Sequence, residues 1–104
     1  MVATDLLVDL GSNTIVFRDE SVSLSPQETE FMFVLRDAWP RTVDYEVMAD
    51  RVWGMTDDRE TTIRRQHLAV IASKTRTKIR TLTDDVAIES TNGRGFRLVI
   101  QQER

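Results

Sequence analysis

The 104-residue sequence contains no cysteine and only one histidine, His67. Without cysteine, disulfide bonds and thiolate chemistry are excluded, and a reducing cytoplasm is the expected location. His67 has no cysteine or second histidine with which to share a metal ion, so we expect no metal site. Neighbouring acids such as Asp57 and Asp58 are ordinary helix caps and make no acid–base pair. We therefore expect neither an enzyme nor a cofactor.

Long hydrophobic runs are lacking as well, because none approaches the roughly 20 residues that a membrane span requires. The amino terminus has no basic stretch before an apolar one, so it does not resemble a secretory signal. We expect no membrane partner. A chain of this length supports one hydrophobic core but not two, and we predict a single domain over residues 1–104.

Positive charge is scarce in the first part of the chain and concentrated later. The net charge is −3, yet residues 1–58 carry four basic and twelve acidic side chains, whereas residues 59–80 carry seven basic ones against Glu60 alone. A phosphate backbone responds to the local field within about one Debye length, roughly 8 Å at physiological salt. The basic block therefore matters more than the net charge, and it suits either a nucleic-acid surface or a solvated helix face.

The first half of the sequence predicts short strands followed by two helices. Three strands are expected, at residues 6–8, 14–17 and 22–24. Ser25, Pro26 and Glu28 form a capping-box pattern that predicts a helix start, and Trp39-Pro40 predicts its end. A second helix is expected from Asp44, a good cap, to Trp53, with Gly54 terminating it.

A third and longest helix is predicted over about residues 60–80. At 100° per residue, one face gathers a core set: Leu68, Ile71, Ala72, Thr75, Ile79 and Leu82. The opposite face collects Ile63, Gln66, Val70, Ser73, Lys74 and Thr77. This second face mixes amide, hydroxyl, ammonium and methyl groups, which is the chemistry needed to read base edges.

The C-terminal part predicts a β-hairpin. Strands are expected at residues 86–91 and 96–100, and Asn92-Gly93 between alternating apolar runs is a strong hairpin signal. Arg94 lies at the tip. The expected buried face consists of Ile88, Phe96, Leu98 and Ile100.

Four segments in this order resemble the OmpR/PhoB family of winged helix-turn-helix DNA-binding domains. They are LSPQETEF at 24–31, VDYEVMADRVWG at 43–54, ASKTRTKI at 72–79 and ESTNGRGFRL at 89–98. The resemblance covers nearly the whole chain and implies an α+β fold with an N-terminal antiparallel sheet, three helices and a C-terminal hairpin wing. Thr75 stands where a leucine is usual, and Asn92 where an arginine is usual. No receiver domain precedes these segments, so phosphorylation control is not implied.

The resemblance implies a bacterial or phage regulator of transcription that binds double-stranded DNA sequence-specifically. The helix at 60–80 would enter the major groove and the wing at 91–96 would reach the minor groove. Base contacts are expected from Gln66, Val70, Ser73, Lys74 and Thr77. Phosphate contacts are expected from Arg64, Arg65, Arg76, Lys78 and Arg80, and wing contacts from Asn92 and Arg94. Neutralising five to seven phosphates predicts that log affinity falls against log salt with a slope of roughly −4 to −6.

Alternatives remain open at each level. Val70 can instead be a core residue. Gln66 and Thr77 can instead belong to a solvated polar face, and Arg94 can be a solvated turn arginine. Trp39 and Trp53 are typical of core packing. At the level of function, the alternative is a winged-helix protein–protein interaction module, such as an RNA polymerase-binding or phage accessory factor. The loop from Gly54 to Arg59 occupies the place where the family touches polymerase. A homodimer on repeated half-sites is usual in the family.

Overall fold

The computed structural model describes residues 6–54, 60–91 and 93–101, which form two sheets and three helices. In chain order the elements are β1 (Leu6–Asp9), β2 (Thr14–Phe17), β3 (Glu20–Ser23), α1 (Pro26–Ala38), β4 (Thr42–Asp44), α2 (Tyr45–Trp53), α3 (Thr61–Leu82), β5 (Val86–Thr91) and β6 (Gly95–Ile100). This is the predicted winged helix-turn-helix architecture. Within the described ranges, no helix combines the length and the apolar character that crossing a membrane requires.

The N-terminal sheet is an antiparallel meander in the order β1-β2-β3. Side chains alternate across β2, so Ile15 and Phe17 enter the core while their neighbours are less buried. The turn between β2 and β3 uses positive φ at Arg18 (53°) and Asp19 (71°), and is tighter than predicted. For this reason the third strand begins at Glu20 rather than at residue 22.

Helix α1 begins with the predicted capping box. The Ser25 hydroxyl accepts a hydrogen bond from the Glu28 amide at 3.1 Å, and the Ser25 amide donates to Glu28 Oε1 at 2.8 Å. The helix ends at Ala38, before Trp39-Pro40. Its core side consists of Phe31, Met32, Val34 and Leu35. Trp39 and Trp53 are partly buried and pack against the same core cluster, in agreement with core packing.

The prediction of a simple C-terminal hairpin is incomplete, because a third strand joins it. β4 pairs antiparallel with β6, giving the order β4-β6-β5. Gly95 makes this approach possible: a Cβ atom there would lie 1.8 Å from the Val43 carbonyl oxygen. Asp44 stands at the predicted cap position of α2, but its side chain makes no capping hydrogen bond.

Helix α3 buries the predicted face, with Leu68, Ile71, Ala72, Thr75 and Ile79 in the core. The hydroxyl of Thr75 is satisfied within the helix, because it donates to the Ile71 carbonyl at 2.7 Å. Leu82 is only partly buried. None of residues 61–67 is buried, so the first two turns of α3 extend beyond the core.

Candidate nucleic-acid interface

Five exposed side chains on the outer side of α3 form what we call the recognition face. They are the predicted base contacts Gln66, Val70, Ser73, Lys74 and Thr77. Val70 is 50% exposed, which excludes the alternative that it belongs to the core. The face follows from helical periodicity, because residues three and four apart share one side of the helix and the core residues occupy the other.

The recognition face presents donors, acceptors and an apolar group. The Thr77 hydroxyl donates to the Ser73 carbonyl at 3.2 Å, which leaves its oxygen lone pairs to accept from a partner. Lys74 supplies only donors, and the Gln66 amide supplies both donors and an acceptor. Ile63, which is 38% exposed, lies seven residues before Val70 and continues the apolar part of this side toward the start of α3.

Two of the predicted phosphate-binding cations are paired within the chain. Arg64 Nη2 lies 2.6 Å from Glu46 Oε1 on α2, and only 14% of the Arg64 side chain is exposed. Lys78 Nζ lies 2.6 Å from Glu28 Oε1 at the start of α1. Burial raises the pKa of Glu28, but the hydrogen bonds from Lys78 and Ser25 outweigh it and lower that pKa below its usual value. Both pairs join α3 to another helix.

Arg76, a third predicted phosphate contact, is bonded to the wing, which we define as β5, β6 and their connecting turn. Arg76 Nε donates to the Ile88 carbonyl oxygen and Nη2 donates to Ser90 Oγ, both at 2.9 Å. The guanidinium therefore connects α3 to β5.

The remaining cations are more accessible. Arg65 is exposed, with its guanidinium carbon 4.6 Å from the centre of the Tyr45 ring, and Arg80 is exposed one turn after Arg76. Arg94 is exposed at the turn of the wing. Asn92, the other predicted wing residue, lies outside the described residues.

Tyr45 has a role that the sequence did not indicate. Its backbone amide donates to the Arg94 carbonyl oxygen at 3.0 Å, and its ring packs edge-on against Phe96 at 5.3 Å between centroids. The start of α2 is thereby attached to the turn of the wing. No local pattern connects positions 45 and 94, so this contact emerges only from the tertiary structure.

A groove of about 740 Å³ adjoins the recognition face. It is bounded by the start of α1, the end of α2 and the middle of α3. Val70, Lys74 and Thr77 line it from α3, and Trp53 lines it from α2. His67 packs edge-on against Trp53 with 6.2 Å between ring centroids. Among the described residues, no group of His, Cys, Asp and Glu side chains is arranged to hold a metal ion.

No protein-family model matches the chain, and no curated protein of similar sequence is found. Solved structures do resemble it. The C-terminal domain of the nisin resistance regulator NsrR, a lantibiotic response regulator, aligns with a TM-score of 0.72 and 20% identity, covering 93% of each chain. The DNA-binding domain of the response regulator AdeR, in complex with an intercistronic region, gives 0.70 and 14% over 98% of this chain and 100% of that one.

The DNA-binding domain of Klebsiella pneumoniae RstA, in complex with the RstA box, aligns with a TM-score of 0.71 and 17% identity over 95% of each chain. At these identities the similarity establishes the fold.

Proposed function

We propose that this chain is a sequence-specific, double-stranded DNA-binding regulator of transcription of the OmpR/PhoB type, acting as one domain over residues 1–104. The observation that carries the proposal is the recognition face: four exposed polar side chains and one exposed apolar side chain on a helix whose other side is in the core. The DNA complexes of AdeR and RstA, which have this fold, support it.

The major groove is the proposed site of α3. A helix about 10–12 Å in diameter fits a groove about 12 Å wide, and each base pair presents a distinct set of donors and acceptors there. Gln66 suits an adenine edge, Val70 a thymine methyl group, and Lys74 the acceptors of guanine. Ser73 and the acceptor oxygen of Thr77 suit exocyclic amino groups.

Phosphate contacts are proposed chiefly for Arg65 and Arg80, which are exposed beside the recognition face. Arg64 and Lys78 hold ion pairs with glutamates, so they bind phosphate only at the cost of those pairs. Arg76 is half-buried and bonded to β5, so it too binds phosphate only at the cost of bonds within the chain. Arg94 is proposed to enter the adjacent minor groove, whose negative potential attracts arginine, with Asn92 beside it.

The test is a selection of bound sequences from a random DNA pool, preceded by a mobility-shift titration of random duplex at low and moderate salt. Lys74→Ala should weaken binding to the selected sequence by about 1–3 kcal/mol and relax preference at one position. Arg41→Ala is the matched control, because it removes one exposed positive charge between α1 and β4, outside both α3 and the wing. Failure of the wild type to shift duplex at low salt overturns the proposal.

A second candidate function is contact with a protein such as RNA polymerase. Val47, 50% exposed on α2, and the acidic excess of residues 1–58 favour it. The loop proposed for that contact, residues 54–59, lies mostly outside the described residues. If the protein does not bind duplex DNA but retains RNA polymerase in a pull-down, this second candidate is favoured. A homodimer on repeated half-sites would instead appear as stepwise retardation of the selected DNA.

A further inference from the structure

Arg76 lies on the flank of α3, but its guanidinium is directed at the wing. Its two hydrogen bonds, to the Ile88 carbonyl and to Ser90 Oγ, both end on β5. β5 is one of the two edge strands of the sheet β4-β6-β5, and β4 is the other. Because a guanidinium holds its donors in a rigid planar fork, two bonds from it fix the orientation of the strand as well as its distance from the helix.

The turn of the wing is held by a different element. The Arg94 amide donates to the Thr91 carbonyl at 2.9 Å and closes the turn, while the Tyr45 amide donates to the Arg94 carbonyl at 3.0 Å. On the β6 side, the wing is therefore held by its pairing with β4 and by the Tyr45 bond at its turn. Arg76 adds side-chain bonds on the opposite side of the sheet, between β5 and α3. Because these bonds act on the other strand of the wing, they fix its orientation relative to α3 as well as to β4.

We propose that Arg76 is a positioning residue, which fixes the wing relative to the recognition face and so sets the distance between the bases that α3 reads and the minor-groove site of Arg94. This inference rests on the proposed function. It replaces the phosphate contact that the sequence suggested for Arg76 with a role inside the protein. The operator should consequently tolerate little variation in the spacing between its major-groove and minor-groove contacts.

Two substitutions separate positioning from phosphate binding. Arg76→Lys keeps the charge, and lysine binds phosphate well, but it lacks the planar fork. Ser90→Ala removes one acceptor without changing the charge of the chain. Arg41→Lys is the control for DNA binding, because Arg41 is exposed outside α3 and the wing and undergoes the same change. Arg80 is itself a proposed phosphate contact, so Arg80→Lys serves as a control only for the free protein without DNA.

The experiment is footprinting on the selected operator. Arg76→Lys should lose the minor-groove protection given by the wing, keep the protection of guanine N7 by α3, and bind about tenfold more weakly; Ser90→Ala should show a smaller loss of the same kind. The salt dependence of both should match the wild type. If Arg76→Lys keeps the full footprint and Ser90→Ala binds normally, Arg76 is a phosphate contact and the inference is wrong.

The Arg94→Ala background gives a second readout. If Arg76 acts through the wing, Arg76→Lys costs no further affinity once Arg94 is absent, because coupled residues are not additive. An additive loss would show that Arg76 acts elsewhere and would overturn the inference.

Amide hydrogen exchange in the free protein separates this inference from the proposed function. Arg76→Lys should accelerate exchange at the amides of Tyr45 and Arg94, both of which hold the turn of the wing, whereas Arg80→Lys should not. If the wild type does not bind DNA but exchange at these amides is faster in Arg76→Lys, the proposed function fails and the positioning role stands. If DNA is bound and neither exchange nor footprint changes, the positioning role alone fails.

Discussion

Lys78→Met should lower the free energy of unfolding by about 1–2 kcal/mol, because it removes the cation that neutralises a nearly buried carboxylate. The Glu28 side chain is 5% exposed, and its Oε1 lies 2.6 Å from Lys78 Nζ. Removing one partner of a fully buried pair costs about 3–5 kcal/mol, whereas an exposed pair is worth about 0–1 kcal/mol. The Lys78 side chain is 40% exposed, so solvent screens the pair and the expected loss lies between these limits.

Urea unfolding at neutral pH measures this loss, and thermal melts should show a decrease of about 4–8 °C per kcal/mol. Methionine retains most of the lysine stem, so packing changes little. Arg80→Met is the matched control on the same helix and should be nearly neutral. In a Glu28→Gln background the effect of Lys78→Met should largely disappear, since the carboxylate is no longer there to be neutralised. Equal unfolding midpoints for the wild type and Lys78→Met would refute the reasoning.

The same difference should depend on pH. Burial raises the pKa of Glu28, but the bonds from Lys78 and Ser25 lower this pKa by a larger amount. The folded-state pKa of Glu28 therefore lies below the unfolded-state pKa. A lowered pKa contributes stability that is present above the unfolded value and is lost as pH falls through the folded value. The gap between wild type and Lys78→Met should therefore be complete at neutral pH and shrink below about pH 4. A gap that stays constant as the pH is lowered through the acid range would indicate lost packing rather than lost charge.

Two further predictions concern the DNA contacts and the wing. Arg80→Ala should weaken binding to every duplex alike and reduce the magnitude of the log affinity–log salt slope by about 0.9, measured by titration at several salt concentrations; an unchanged slope would remove Arg80 from the phosphate contacts. Gly95→Ala should destabilise the fold by about 3 kcal/mol or more, because the added Cβ would lie 1.8 Å from the Val43 carbonyl oxygen. A melting temperature like that of the wild type would show that β4 and β6 do not approach as closely as described.

Most of the fold was predictable because its signals are local. The capping box at Ser25 and Glu28 marks the start of α1 within four residues of sequence, and both of its hydrogen bonds are present. The buried side of α3 follows from a period of 3.6 residues, which selects Leu68 and Ile79 among others regardless of what packs against them. The same period predicts which residues of α3 lie on the opposite, exposed side, and these include the five residues of the recognition face.

Apart from the tight turn at Arg18 and Asp19, the main features that were not predicted depend on residues far apart in sequence. β4 has three residues, too few for a periodic pattern, and exists because β6 pairs with it. Arg76 bonds to β5 and Lys78 to α1. The sequence does not reveal these partners, and both residues were therefore predicted to contact phosphate. Their partners, Ser90 and Glu28, carry no sequence pattern that relates them to α3.

The central place of β6 in the C-terminal sheet has a consequence for how the protein is made. Both β4 and β5 pair with β6, which is the last of the described elements to leave the ribosome. Until residues 95–100 have emerged, β4 lacks the strand with which it pairs in the folded protein, and α3 with its basic side chains is already synthesised before the hairpin is complete. Premature termination before residue 95 would therefore yield polypeptides that retain the cationic helix but lack the sheet that orders it.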